Sequence, residues 1–419
     1  MRTIHLLRKF NPDEWGGTET AIQRLFDGLR EHGVTPVVYC PRVDNCRHED
    51  PLVRAGHAVQ RFTAFVPVIG MSRSRKRQLI SVGGNLMSFD LIPSLWFEDD
   101  VALIHTHALG RIGAIARTIA KTRQAPFVVT IHGGVFDLPE KIKQSFNAPV
   151  SNGWEWGKLF GFLFQSHRLF VDADAILTCN GKEAAQLEQR FPGKRIVVQP
   201  HGVPLELYQQ DQRPRALEAF PQVRGRKILL SAGRIDPIKN QHWLLEQAGE
   251  IFRKHPDAML VLAGPCTDEP YGKKIDRMIQ DLGFGDRILL TGGMPSDDPR
   301  LIGLLQQATV LLLPSLSETF GLVLLEGWAA GTMVMSSRTS GASALIDHGE
   351  NGWLFDLGNP STFHEALDRT LGDPDSARAM AARGLHKVRD GYSVDATARR
   401  MKQLYEELIE KKKQAQCVT

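Results

Sequence analysis

The segment Thr309-Val-Leu-Leu-Leu-Pro-Ser-Leu-Ser-Glu-Thr-Phe-Gly-Leu-Val-Leu-Leu-Glu326 runs from an aliphatic stretch through a proline and a polar turn into a second apolar stretch. An aliphatic run closed by Pro314 reads as a β-strand buried on both faces, the habit of a parallel sheet. The polar turn and the apolar face after it read as the entry to a helix. The same strand–turn–helix unit repeats outward in both directions. Toward the N-terminus of this half lie Lys227–Ala232, Ala258–Ala263 and Arg287–Thr291, and beyond it Met333–Ser336 and Trp353–Phe355. The other half carries Thr3–Leu7, Thr35–Cys40, His57–Thr63, Leu103–His107, Phe127–His132, Ala175–Cys179 and Arg195–Gln199. Helical stripes separate them, such as Ala21, Ile22, Leu25, Phe26 and Leu29, closed by Gly33. Repeated alternation of this kind predicts an α/β chain.

Pro200–Arg226 interrupts the alternation with four prolines, mixed charge and few aliphatics, and reads as the link between two α/β domains. The expected division is residues 1–204, completed by a C-terminal helix over 394–419, and residues 205–393. That helix carries Met401, Leu404, Tyr405, Leu408 and Ile409 on one face, and Lys411–Lys413 in its last turns. Two domains are fewer than the three that a length of 419 residues also allows.

The composition, 42% hydrophobic and 23% charged, excludes a disordered or fibrous chain. The longest apolar runs, such as Met259–Ala263, fall far short of the ~20 residues of a membrane-spanning helix. The apolar stretch near the N-terminus is too short for a secretion signal. Five scattered cysteines (Cys40, Cys46, Cys179, Cys266, Cys417) form no metal-binding or disulfide spacing, so a reducing cytoplasm is expected.

Ligands of parallel sheets sit beyond the carboxyl ends of the strands, so loops that open helices are the places to search. Gly16-Gly17-Thr18-Glu19 opens the first helix, where bare amides and absent side chains suit a phosphate; a flexible turn is the plainer reading. The dinucleotide fingerprint is absent, and Gly153–Leu159 has the wrong spacing for a P-loop. Arg234 and Lys239 lie on one loop after the strand Lys227–Ala232, a planar fork and a point charge that both serve phosphate oxygens. Glu318 at the turn and Glu326 in the helix can address one ligand from two depths, and carboxylates accept hydroxyl hydrogen bonds from a sugar or ribose. His105 and His107 point to one face of a strand. Without a third ligand in view, packing or an acceptor contact is favoured over a metal. The pairs Asp99–Asp100 and Asp297–Asp298 read as solvated turns.

Taken together, Gly16-Gly17-Thr18-Glu19, Thr130-Ile-His132-Gly133, Gly202-Val-Pro204, Gly233-Arg234 with Lys239, and Glu318-x7-Glu326 followed by Ala329-Ala-Gly331 resemble the retaining glycosyltransferases of family 4. The resemblance runs over nearly the whole chain. It implies the GT-B fold: two Rossmann-like domains whose parallel sheets face an interdomain cleft, the first binding acceptor and the second the nucleotide-sugar donor. It implies catalytic roles for His132, Arg234, Lys239 and Glu318. Donor contacts are implied for Gly16, Gly17, Arg234, Lys239, Arg287 (near the base), Glu318, Thr319, Phe320, Gly321, Leu322 and Glu326. Glu19 and His107 fall on the acceptor side. Arg234, Lys239 and a helix N-terminus would stabilise the leaving diphosphate in place of a divalent metal, so no metal or other cofactor is expected. Retention would proceed by front-face attack, with the leaving phosphate taking the acceptor's proton.

Arg73, Arg75, Lys76 and Arg77 follow the apolar run Phe62–Gly70, and Trp154–Phe170 is rich in aromatic residues with Lys158, His167 and Arg168 among them. Basic charge beside apolar side chains suits an anionic membrane surface; a solvated cluster and an ordinary core are the alternative. No nucleic-acid motif accompanies them. The resulting expectation is a cytoplasmic enzyme, on the inner face of the plasma membrane if it meets lipid. It would move a sugar to a saccharide or lipid-linked acceptor in cell-surface polysaccharide or lipopolysaccharide synthesis. A sugar-nucleotide epimerase and a non-catalytic nucleotide-sugar-binding module are the alternatives. The donor base (UDP, GDP or ADP), the linkage and the oligomeric state stay open.

Overall fold

The computed structural model describes residues 1–11, 16–43, 49–133 and 154–418; Cys46 and Gly153 lie outside them. The chain divides into two compact units, Met1–Gly202 with Val394–Thr419, and Val203–Ser393.

The first unit is built on a seven-stranded sheet of β1 (Arg2–Leu6), β2 (Thr35–Pro41), β3 (Ala58–Phe62), β5 (Leu103–Thr106), β6 (Phe127–Ile131), β8 (Ala175–Thr178) and β9 (Ile196–Val198). Its order is β3-β2-β1-β5-β6-β8-β9, and every neighbouring pair is parallel. The order reverses between β1 and β5, where such sheets leave a crevice at the carboxyl ends of the strands. The helix Gly17–Glu31 buries Ala21, Ile22, Phe26 and Leu29, and Gly33 follows it at φ +75°, a left-handed turn that glycine takes without strain.

The C-terminal helix Val394–Val418 packs on Gly17–Glu31, burying Met401, Leu404, Tyr405 and Leu408 in a core with Leu7, Phe10, Ile22 and Phe26. The approach is close enough that a Cβ at Gly28 would lie 2.7 Å from Val394 Cγ1 and 2.8 Å from Ala398 Cβ. A short antiparallel pair, β4 (Val68–Ile69) with β7 (Trp154–Glu155), was not foreseen, because two residues leave no periodicity to read.

The second unit has six parallel strands: β10 (Lys227–Ala232), β11 (Ala258–Ala263), β12 (Ile288–Gly292), β13 (Ala308–Leu313), β14 (Met333–Ser337) and β15 (Trp353–Phe355). The order is β12-β11-β10-β13-β14-β15, reversing between β10 and β13. Leu229, Leu260, Leu262, Val310 and Leu312 are fully buried, as their aliphatic runs demanded.

Pro200–Arg226, expected to be a link, is folded structure from Val203 onward. Leu205–Gln209 and Arg213–Ala219 are helices, and Tyr208 is 1% exposed with its hydroxyl donating to Ser296 O at 2.9 Å. Pro214 and Pro221 stand in the first turns of helical segments, where a missing N–H costs nothing. The prolines therefore start helices here. The helix Arg213–Ala219 buries Ala216 against Pro299–Gln307, and a Cβ on Gly303 would come 2.2 Å from Gln212 O.

The apolar run Phe62–Gly70 is mostly core: Phe62, Val66 and Val68 are buried, and Ile69 alone among its large aliphatics faces solvent. No helix among the described residues is long and apolar enough to cross a membrane.

Candidate functional site

In the second unit the reversal point is occupied by two loops, Gly233–Asn240 after β10 and Pro314–Gly321 after β13. They are stitched together: Leu316 N donates to Ile238 O at 2.8 Å, and Asn240 Nδ2 to Pro314 O at 3.0 Å. Asp236, 7% exposed, organises the first loop. Its Oδ1 accepts from Lys239 N at 2.9 Å and its Oδ2 lies 3.2 Å from the Arg234 guanidinium. The sequence reading assigned Asp236 no role, although Asp-Pro is a turn signal that marks it. Lys239 Nζ reaches across to Glu318 Oε2 at 2.5 Å, joining the two loops by a charged hydrogen bond. Arg234 is about half exposed and so free to meet a ligand.

The second loop is clamped from behind. Gly341 N donates to Glu318 O at 2.7 Å, and a Cβ on Gly341 would come within 2.5 Å of Phe320 N. Gly321 then turns the chain at φ +91° into the helix Leu322–Ala329, whose first amides have no partners within the helix. Thr319 is half-buried, Phe320 and Gly321 are buried, and Leu322 is half-buried at the helix entry. Glu326 lies buried in the same helix. Two cations and a helix N-terminus at the carboxyl end of a parallel sheet can hold a phosphate or diphosphate, with carboxylates beside it for hydroxyl groups.

Arg287 stands elsewhere. It precedes β12, at the amino end of the sheet, opposite the loops just described. Its guanidinium donates to Phe252 O, His255 O and Ala258 O at 2.7–3.2 Å and lies 4.1 Å from the Phe252 ring centroid. Every bond it makes ties the unit together, so the sequence-based role near the base is replaced by a structural one. Arginine type and approximate position could not distinguish the two ends of a strand.

In the first unit Gly16 caps Gly17–Glu31, its N–H donating to Glu19 Oε2 at 3.1 Å. Gly17 and Thr18 are exposed at the helix entry, while Glu19 is 8% exposed and spends its carboxylate on that cap. The expected acceptor-side Glu19 is thus a capping group. A cluster of histidines stands on β1 (His5) and β5 (His105) and just beyond β5 and β6 (His107 and His132). His107, also expected on the acceptor side, is buried with both ring nitrogens occupied: Nε2 lies 3.1 Å from His5 Nδ1, and Nδ1 lies 2.8 Å from His132 Nε2. His105 bonds Tyr405 Oη through Nδ1 and Thr130 Oγ1 through Nε2, each at 2.6 Å.

Burial drives these rings toward the neutral form, His5 down to about 3 and His201 to about 4, with His105, His107 and His132 also well below the usual 6.5. The positive charge a neighbouring ring would carry adds to the effect. Nitrogens of His5, His105 and His107 lie within 4.8 Å of one another, a spacing that could hold a metal ion. All six nitrogens are already hydrogen-bonded within the protein, His5 Nε2 to Thr3 Oγ1 at 3.1 Å, so an ion would have to displace those bonds. His5 and Thr3 escaped the sequence reading because the register His5↔His105 that unites them is long-range.

Among solved structures, an Anabaena protein, Alr3699/HepE, in complex with UDP-glucose has a TM-score of 0.72 at 16% identity, covering 97% of this chain and 100% of that one. It shares the GT-B fold, two Rossmann-like units. The D-inositol 3-phosphate glycosyltransferase of Acidothermus cellulolyticus is 30% identical over 69% of this chain and 62% of its own length. That of Corynebacterium jeikeium is 25% identical over 94% and 92%. The chain spans about three fifths of the length of several such curated relatives. Two family models match, Glycosyltransferase Family 4 over residues 15–207 and Glycosyl transferases group 1 over residues 213–387, so that nearly all of both units is accounted for. The chain belongs to glycosyltransferase family 4.

Proposed function

We propose that the protein moves a sugar from a nucleoside-diphosphate donor, of the UDP-hexose type, to a hydroxyl of a saccharide or lipid-linked acceptor with retention of configuration. The observation that carries this reading is the pairing of Lys239 with Glu318 beside Arg234 and the helix entry at Leu322. As the bond between anomeric carbon and phosphate breaks, negative charge grows on the diphosphate. Arg234, Lys239 and the helix amides are already oriented to receive it, so little reorganisation is needed in the transition state. These groups take the part a divalent ion would otherwise play. Glu318 then serves the transferred sugar and Glu326 the ribose hydroxyls, while His132 contacts a sugar hydroxyl. The leaving phosphate oxygen accepts the acceptor's proton, and neither glutamate acts as nucleophile. The UDP-glucose complex of the Anabaena protein and the glycosyltransferase relatives support the donor class and the reaction.

The test combines ligand-induced stabilisation with product analysis. UDP is expected to raise the melting temperature where GDP and ADP do not. Transfer from a radiolabelled UDP-hexose should survive EDTA and yield a product of unchanged anomeric configuration by NMR. Stabilisation by none of the nucleotides, or loss of turnover with EDTA, would sink this form of the reading. Donor rearranged without any transfer product would favour the epimerase, and binding without turnover the non-catalytic module.

One further observation favours a lipid-linked acceptor, of the kind used in cell-surface polysaccharide or lipopolysaccharide assembly. The helix Lys158–Leu163 exposes Leu159, Phe162 and Leu163 at 69%, 78% and 66%. It borders a cavity of about 370 Å³ lined also by Arg8, Asn85, Gly110 and His167. The helix Arg73–Val82, with Arg73 and Arg77 exposed, ends at Gly83 on the same cavity. Anionic vesicles should bind the protein, and replacing Arg73, Arg75, Lys76 and Arg77 by Ala should abolish binding; equal binding would remove the membrane role.

A further inference from the structure

The geometry points to a phosphoryl-binding site in the first unit: the cavity of about 370 Å³ beside the helix Lys158–Leu163 receives a phosphate group carried by the acceptor. Arg8, Arg111, Lys158 and His167 line it, and no aspartate or glutamate does among the described residues. Arg111 is already spent. Its guanidinium donates to Glu155 Oε1 at 2.7 Å, Asn85 O at 2.8 Å and Leu86 O at 3.3 Å, which braces the wall. Arg8, Lys158 and His167 are exposed, and their side chains make no ion pair or hydrogen bond among the described residues. Basic groups gathered around one cavity without a counter-charge repel one another, and an anion between them relieves that cost. A cleft lined by one sign of charge also concentrates the opposite sign within it.

The place in the fold agrees. Arg8 follows β1, and Gly110 opens the helix Gly110–Thr122 after β5, so the cavity lies where the strand order of this sheet reverses. That helix has 13 residues, and Leu109 at its N-cap offers no side-chain cap. Its first amides are left for a ligand and add to the cations. The basic groups come from separate segments whose backbones are held in place. Gly83 ends the helix Arg73–Val82 at φ +73°, so close to Arg8 that a Cβ there would lie 2.5 Å from Arg8 O. Ser166 Oγ donates to Gly161 O at 3.0 Å, which ties the segment carrying His167 to the helix that begins at Lys158.

The donor set selects the chemistry. An arginine fork, a lysine point charge and helix amides reach a ligand from several directions, which suits the tetrahedral oxygens of a phosphate better than a planar carboxylate. The volume is near the small end of the ~300–1,000 Å³ typical of small-molecule sites, enough for a monosaccharide phosphate or the head of a phosphate-linked lipid. Phe162, 78% exposed, gives the cavity an apolar side for a sugar ring or a lipid chain. Both sources carry the same phosphoryl group. Giving that group to the acceptor rests on the transferase reading above; the anion site does not.

Titration of the full chain with inorganic phosphate, followed by ³¹P NMR at fixed ionic strength, tests the site without knowledge of the sugar. Arg8→Met with Lys158→Met should weaken binding at one site by at least about tenfold. Phosphate held by Arg234 and Lys239 is common to both proteins and cancels in the comparison. Arg8→Lys with Lys158→Arg, which keeps both charges, should bind within about threefold of wild type, and circular dichroism melts of the free proteins should coincide. Equal phosphate binding by the wild type and the methionine variant overturns the proposal. Two further probes separate the sources. Glucose 6-phosphate binding more tightly than phosphate, with the same dependence on Arg8 and Lys158, assigns a soluble sugar phosphate. Displacement of phosphate by phosphatidylcholine vesicles containing phosphatidic acid, and not by phosphatidylcholine alone, assigns a lipid phosphate. Phosphate bound with neither result overturns the assignment to an acceptor. Phosphate binding intact, with no sugar transfer from any nucleotide sugar, would remove the transferase reading and leave the anion site standing.

Discussion

Lys239→Met preserves the length of the side chain and deletes its charge. In the free protein the ammonium lies 2.5 Å from Glu318 Oε2, and the two side chains are 22% and 15% exposed. At an effective dielectric of about 20, unit charges that close attract by roughly 5–7 kcal/mol before desolvation and lost side-chain freedom are subtracted. The net worth of a hydrogen bond between charged groups is about 1.5–3 kcal/mol. Lys239→Met should therefore lower stability by about that amount, much of it from a Glu318 carboxylate left unpaired in a partly buried loop. Adding Glu318→Gln removes the unpaired charge and should recover part of the loss, a coupling of about 1–2 kcal/mol. Transfer should behave differently. Losing one preorganised charge from the diphosphate costs about 10²–10³-fold in kcat, and the second substitution restores none of it. Urea denaturation followed by circular dichroism, and initial rates of sugar transfer, measure the two quantities on the same four proteins: wild type, Lys239→Met, Glu318→Gln and the double variant. Activity of Lys239→Met within about threefold of wild type would refute the diphosphate role. Purely additive stability losses would refute the pairing.

Three other outcomes follow from the geometry. Stability should fall with acid: His5 and His201 are held at about 3 and 4 in the folded chain against 6.5 when unfolded, so the unfolded state binds more protons as pH drops below 6.5. Each contributes a loss of about 1.4 kcal/mol per pH unit from 6.5 down to its folded value, and denaturant curves unchanged between about pH 7 and 5 would count against their burial. Arg287→Ala should cost about 2–3 kcal/mol of stability, through lost bonds to three carbonyls and its stacking on Phe252, while nucleotide affinity measured by calorimetry stays the same. A Cβ on Gly384, within the helix Pro374–Gly391, would come 2.2 Å from Trp328 Cδ1, so Gly384→Ala should destabilise by about 1–3 kcal/mol by thermal melting in spite of alanine's better helix propensity; a rise in melting temperature would contradict that packing.

The sheet strands were legible because the signal is local. Aliphatic runs bounded by Gly, Pro and His mark buried strands wherever they occur, and all thirteen expected runs lie in the two sheets. Arg234, Lys239 and Glu318 were legible for the same reason: each follows a strand and precedes a helix, and parallel sheets gather such loops at one edge. Hydrophobicity alone could not separate an apolar run that enters the core, Phe62–Val68, from one that faces water, Leu159–Leu163. Whether proline-rich sequence links domains or starts helices depends on what it packs against, and the helix Pro299–Gln307 decided that for Arg213–Ala219.

By itself the sequence determined the α/β class, the family and the charged groups of the second unit, because each is written in spacings of ten residues or so. Tertiary structure alone decided the histidine cluster. His5 meets His105 through strand register, His107 meets His132 across adjacent strands, and His105 reaches Tyr405 on a helix 300 positions away. It also moved Arg287 to the opposite end of its sheet, onto the carbonyls of Phe252, His255 and Ala258. The physical reason is common to these cases. A side chain's role is set by the atoms that replace its water, and for these residues those atoms come from distant parts of the chain that only folding brings near.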